Sequence, residues 1–171
     1  MSNTSTITGE QMASALHILG VNFIFSDKKA DTLLHKQPDR LIIALAESRE
    51  ARLRLSLIPL FLEHPEFSKY ADLAVQGLSE SAKVTLQCYY TAAVLLQRKH
   101  NNELDLLVGK KQSLKDLFSQ KLGLLMTTNP TQDLQTLANR HEALSGARIN
   151  WLGTYQHALQ VWMRGLEVQK S

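Results

Sequence analysis

Residues 41–98 read LIIALAESREARLRLSLIPLFLEHPEFSKYADLAVQGLSESAKVTLQCYYTAAVLLQR. Apolar residues recur here three and four apart and never sustain alternation, which is the period of helices rather than strands. Leu53, Leu57, Leu60 and Phe61 fit one side of a long helix starting near Ser48. Pro59 has no amide hydrogen and is expected to bend or break that helix, and His64-Pro65 to end it. A second long helix, capped by Ser79, carries Val84, Cys88, Ala92 and Leu95 at near-helical spacing. Tyr89 and Tyr90 point about 100° apart on it, so one of the two is expected at the centre. Each long helix follows a shorter one, from about Asp39 to Ala46 and from about Glu66 to Val75, the latter turning Phe67, Tyr70, Leu73 and Ala74 inward.

The stretch contains an internal echo. A shift of 33 positions brings Leu45, Glu47, Ser48, Leu53 and Leu62 onto Leu78, Glu80, Ser81, Leu86 and Leu95. Repeats of roughly 30–50 residues built from helix pairs stack into HEAT-like units. Five identities also arise by composition alone in leucine-rich helices, so an irregular bundle accounts for them equally.

On the N-terminal side, Thr8 and Gln11 have capping-box spacing. Met12, Ala15, Leu16 and Leu19 form a stripe ending at Gly20. Val21, Phe23, Ile24 and Phe25 read as an extended connector that places its aromatics in the core. Ser26 or Asp27 caps a short helix to about Leu34, and Pro38 opens the next. On the C-terminal side, Leu104, Leu106, Leu107 and Val108 prolong the second long helix after a bend. Ser113 is the expected cap of a short helix carrying Leu114, Leu117, Phe118 and Leu122. Leu124, Leu125 and Met126 are expected to turn back to the core. Asn129-Pro130 opens a helix to about Leu144, burying Leu134, Leu137, Ala138 and either His141 or Leu144. Asn150 or Arg148 opens the last one. The fold class is all-α: a single-domain irregular bundle of seven or eight helices that accommodates two stacked helix pairs. The domain spans 8–168, between flexible ends at 1–7 and 169–171.

The chain has 171 residues, 44% of them hydrophobic and 20% charged, a composition for one folded domain. Its net charge of +3 permits a basic patch without demanding one. Cys88 is the only cysteine, so no intrachain disulfide forms. The N-terminus lacks the features of a secretory signal. No apolar run reaches the ~18–20 residues that span a bilayer. The expected compartment is the cytoplasm, with no membrane.

Candidate chemistry is sparse. No two of the six histidines lie three or four apart, and no cysteine pair exists, so neither a metal site nor a cofactor is expected. The pairs Glu47/Glu50 and Glu63/Glu66 read as solvated helix ends. GKKQS, at 109–113, lacks the glycine spacing and strand of a phosphate loop. The basic candidates for nucleic-acid contact are Arg49, Arg52, Arg98, Lys99, Lys110, Lys111 and Lys115, offset by Glu103, Asp105 and Asp116. The candidate protein interface is the last helix, where Trp151, Tyr155, Leu159 and Trp162 follow one another four, four and three apart on one face. Aromatics of this kind anchor interfaces, and core packing employs the same residues.

Three blocks, RLRLSLIPLFLEHPE at 52–66, LQCYYTAAVLLQR at 86–98 and NWLGTYQHALQVWM at 150–163, together resemble a poorly characterised bacterial all-helical family. Its members are often encoded beside a minimal nucleotidyltransferase-domain protein. The blocks are mostly hydrophobic and carry no catalytic residue across. The resemblance implies a partner or regulator of a nucleotidyltransferase, of toxin–antitoxin type. The absent catalytic constellation and the aromatic last helix give the expected function, a non-catalytic protein-binding module paired with another protein or with itself. The alternatives are a nucleic-acid-binding regulator using the basic residues, and an enzyme with a site assembled between helices.

Overall fold

The computed structural model describes residues 6–22 and 31–170, with side chains through 168. The expected connector at Phe23, Ile24 and Phe25 and the cap at Ser26 or Asp27 lie outside the described residues. The described chain is all-α and has no strand. Its helices are α1 (Gly9–Ile18), α2 (Pro38–Glu47), α3 (Ala51–Leu55), α4 (Leu57–Glu63), α5 (Ser68–Val75), α6 (Glu80–Lys99), α7 (Asn101–Val108), α8 (Ser119–Leu122), α9 (Pro130–Ser145) and α10 (Trp151–Lys170). Short 3-10 turns precede α2 and α5, at Leu34–Lys36 and Pro65–Phe67. With α3 and α4 taken as one broken rod the described residues form nine helices, of which α8 is a single turn. Among them no helix is long and apolar enough to cross a membrane.

Local chemistry sets most of the boundaries. Thr8 accepts from the Gln11 amide at 3.1 Å while Gln11 Oε1 accepts from the Thr8 amide at 2.9 Å, closing the capping box. At the other end of α1, Gly20 adopts φ +83°, its amide bonds to the His17 carbonyl and that of Val21 to Leu16. This is a left-handed C-terminal cap that an L side chain resists. Asn129 Oδ1 accepts from both Thr131 and Gln132 amides, and Pro130 fills the first turn of α9, where a missing amide hydrogen does no harm. Asn150, rather than Arg148, caps α10, accepting from the Gly153 amide at 2.9 Å.

The first long helix departs from expectation twice. Ser48 ends α2 instead of starting the rod, in extended conformation at ψ 142°, and α3 begins at Ala51. The break falls at Ser56, one turn before Pro59. A proline ring in a helix interior collides with the carbonyl four residues back, a penalty of about 3 kcal/mol. Interrupting the helix at Leu55–Ser56 removes that collision and leaves Pro59 in the first turn of α4. The Ser56 hydroxyl, fully buried, donates to the Leu53 carbonyl at 2.5 Å and completes the junction.

α6 is the axis of the bundle. It packs against α4 and α9, with α10 and α2 also touching it. Every residue from Leu86 to Gln97 is buried. Tyr89 and Tyr90 are therefore both central, because α6 is surrounded and has no solvent side over this length. α2 packs on α5 and α4 on α6, an arrangement of stacked helix pairs. Glu47 at the end of α2 accepts from the Ser79 hydroxyl at 2.5 Å and ties the two pairs together. Matching helices begin 30 residues apart (Pro38, Ser68) and 29 apart (Ala51, Glu80). A shift of 33 is one helical turn longer, so the echo keeps faces in step but not helix ends.

Elsewhere α5 turns Ala71, Ala74 and Val75 inward and leaves Leu73 exposed. No helix starts at Ser113. Residues 109–118 run irregularly because the Gln97 side chain donates to the Gln112 carbonyl at 3.0 Å and accepts from the Leu114 amide at 2.7 Å. Leu125 does not reach the core and is 84% exposed. On α9, His141 is buried and Leu144 is not. α10 continues to Lys170, two residues beyond the expected domain end.

Candidate interaction site

The face of α10 expected to meet a partner is turned into the fold. Tyr155 is fully buried, Leu159 and Trp162 nearly so, and Trp151 partly. The reason is that α10 packs on α9, α4, α7 and α6, and these four side chains fill the seam. Trp151 stacks on the His141 ring and donates from Nε1 to the Ala147 carbonyl at 3.3 Å. The Tyr155 hydroxyl and His141 Nδ1 share a hydrogen bond of 2.7 Å. Tyr89 completes the cluster, edge-on to the rings of His141, Trp151 and Tyr155.

Burial governs the acid–base character of this seam. It pushes His141 down to about 4, so the ring is neutral at neutral pH. It pushes the Cys88 thiol and the Tyr89 hydroxyl up to about 12, and raises Tyr155 as well. Groups held neutral and packed against one another act as core.

Beside the seam, the outer edge of α10 faces the corner between α6 and α7 across an open recess of about 520 Å³. Its apolar lining on α10 is the half-buried Met163, with Leu159, four residues earlier, nearly buried at its edge. Gln156, Gln160, Arg164 and Glu167 form the rim on the same helix. Lys99, His100 and Glu103 form the opposite wall, where His100 Nδ1 lies 3.3 Å from Glu103 Oε1. The helix break at His100 creates this wall, since α7 sets off in a new direction from Asn101. The recess thus joins the half-buried Met163 to cations at Lys99 and Arg164 and anions at Glu103 and Glu167.

Leu159, from the expected interface, and Lys99, from the basic candidates, meet here. The other basic residues are placed elsewhere. Arg49 and Arg52 are exposed around the α2–α3 junction, and Arg98 is exposed at the end of α6. Lys110 and Lys115 are exposed on the 109–118 segment, where the Lys115 carbonyl accepts from the Tyr90 hydroxyl at 2.7 Å. Lys111, half-buried on the same segment, acts electrostatically on Glu63 and Glu66. Glu63 is not a solvated helix end: its Oε2 is buried and has no hydrogen-bond partner among the described residues. Burial raises its carboxyl above the ordinary range against the pull of Lys111 and His64.

Sequence reasoning missed Met163, Gln156 and Gln160. The available signal was a second strip on α10, with Leu159 and Met163 four apart and glutamines flanking them. Among the described residues no group of three or more His, Cys, Asp or Glu is gathered for a metal. No protein-family model, curated protein or solved structure matches the chain.

Proposed function

We propose that the protein is a non-catalytic helical binding module that receives an amphipathic helix of a partner protein in the recess between α10 and the α6–α7 corner. The observation that carries this reading is the half-buried Met163 in a recess lined by side chains of both charge signs. Methionine adapts to irregular apolar side chains. A helix that sets an apolar residue on Met163 and polar residues on the charged lining fits the helix-in-groove mode. Rim charges of both signs fix its direction and register more than its affinity. The family resemblance of 52–66, 86–98 and 150–163 suggests the owner of that helix: a minimal nucleotidyltransferase-domain protein, which this chain would hold or regulate as one half of a toxin–antitoxin pair. On this reading the protein is bacterial and cytoplasmic.

The test is a titration of the purified chain with a purified minimal nucleotidyltransferase-domain protein encoded beside it, followed by calorimetry and size-exclusion chromatography. Binding at micromolar concentration or tighter is expected. Met163→Glu should weaken it at least tenfold, whereas Gln132→Glu, exposed on α9, should leave it unchanged. Self-association abolished by Met163→Glu would make a second copy the occupant. A salt-dependent shift of DNA or RNA lost on changing Lys110 and Lys115, with no protein complex, would replace this proposal with nucleic-acid binding.

A further inference from the structure

Tyr155 meets His141 in the buried seam between α10 and α9. The hydroxyl lies 2.7 Å from His141 Nδ1, and the two side chains are 0% and 2% exposed. This is the one hydrogen bond of the hydroxyl among the described residues. A buried phenol O–H needs an acceptor, so the hydroxyl donates and Nδ1 accepts. The imidazole is neutral at neutral pH, so Nδ1 holds a lone pair ready for the phenolic proton.

The other oxidisable rings of the core have no such partner. Tyr90 donates to the Lys115 carbonyl and Trp151 to the Ala147 carbonyl, and a peptide carbonyl does not take up a proton. Trp162 Nε1 is buried with no hydrogen-bond partner among the described residues. Tyr89 meets His141 only edge-on, ring to ring. Tyr155 therefore stands apart, with a base inside the ~2.6–3.2 Å reach of proton transfer. A phenol gives up an electron far more readily when its proton leaves too, because the phenol radical cation is a very strong acid. A route from the surface is also present. Trp151 is half-buried and stacks on His141 with centroids 3.6 Å apart. The Tyr89 ring lies 6.3 Å from that of Trp151 and 6.2 Å from that of Tyr155.

We propose that Tyr155 and His141 form a proton-coupled redox pair, reached through Trp151, that takes up one oxidising equivalent from a one-electron oxidant at the protein surface. The oxidant removes one electron from the Trp151 indole and is itself reduced. Trp151 recovers that electron from Tyr155 while the phenolic proton crosses to His141 Nδ1. The products are the reduced oxidant, a neutral Tyr155 phenoxyl radical and a His141 imidazolium. Full burial of Tyr155 shields the radical from solvent.

The test illuminates the purified protein with tris(bipyridine)ruthenium(II) and a sacrificial electron acceptor, which generates the ruthenium(III) oxidant, and traps the radical for EPR by freeze-quenching. A tyrosyl signal is expected, altered by ring-deuterated tyrosine. ENDOR spectra compared in H₂O and D₂O should show one exchangeable hydrogen bonded to the phenoxyl oxygen. Tyr155→Phe should abolish the signal. His141→Gln, whose amide keeps a hydrogen bond to the hydroxyl but takes no proton, should slow its appearance about a hundredfold, the low end of what a positioned base supplies. Where a variant fails to fold, the spectra of the unaltered chain remain decisive. A final indolyl signal, a tyrosyl signal without the exchangeable hydrogen, an unchanged signal in folded Tyr155→Phe or an unchanged rate in folded His141→Gln overturns the proposal.

Discussion

The indole of Trp151 lies face to face with the imidazole of His141, ring centroids 3.6 Å apart and planes 14° apart. The stack joins the end of α9 to the start of α10 and covers a histidine that burial holds at about 4. The unfolded chain returns it to about 6.5. Between those values the unfolded state binds the extra proton, so stability rises with pH across this window. Above about 6.5 the contribution is fully present. It is lost as pH falls toward 4 and amounts to roughly 3 kcal/mol once both states are charged. Urea unfolding of the natural chain and of His141→Gln, compared at pH 7 and pH 4.5, should isolate this term from the carboxylates both share. The natural chain should lose more stability, and parallel losses would show that His141 is not the group responsible.

Cys88 is fully enclosed in α6, and burial lifts its thiol to about 12. The thiolate is the reactive form, so the native protein should resist a thiol reagent such as DTNB over hours at pH 8. Labelling should become fast only when urea populates the unfolded chain, with the denaturation midpoint as its threshold. Rapid labelling of the native protein would mean that the α6 seam opens locally.

What the sequence disclosed was whatever neighbouring residues decide among themselves. Thr8 with Gln11, Ser79, and Asn129 with Pro130 cap their helices through contacts within three residues, and all three helix starts were readable. Pro59 announced a break, but its location depends on the carbonyl the ring would strike, one turn earlier. Burial was harder to read. Tyr89 and Tyr90 share the interior because α6 is enclosed on all sides, which no pattern within α6 specifies. For the same reason the aromatic face of α10 resembled an interface: a partner and the neighbouring helix α9 demand the same side chains. Contacts such as Leu19 with His64, 45 positions apart, leave no local trace.

Asp133, buried in the first turn of α9, accepts from the Thr127 amide at 2.9 Å and from the Thr127 hydroxyl at 2.7 Å. Asp133→Ala strands that amide and should cost about 2–3 kcal/mol. Asp133→Asn retains one acceptor oxygen for the amide, and the Thr127 hydroxyl can rotate to accept from the new NH₂, so about half that loss is expected. Chemical denaturation of both variants checks the order, and equal losses would locate the effect in charge at the helix start rather than in the two hydrogen bonds.

Gln97 makes the most concentrated tertiary connection to the 109–118 segment. Its amide occupies a buried position at the end of α6 and meets one backbone donor and one backbone acceptor, Leu114 and Gln112. Gln97→Leu is similar in size but leaves both groups without a partner, so a loss of about 2–4 kcal/mol is expected. Gln97→Glu keeps the acceptor for Leu114 and sets a carboxylate oxygen against the Gln112 carbonyl, so it should destabilise with rising pH as the carboxyl ionises. The two variants therefore differ in kind: the leucine penalty should be independent of pH, whereas the glutamate penalty should shrink below about pH 4, where a carboxylic acid can donate to Gln112. Urea midpoints across pH 3.5–7.5, measured against the natural chain, decide the matter. A glutamate variant with the same pH response as the natural chain would mean that the segment is held by Leu114 and Phe118 packing and not by the Gln97 amide.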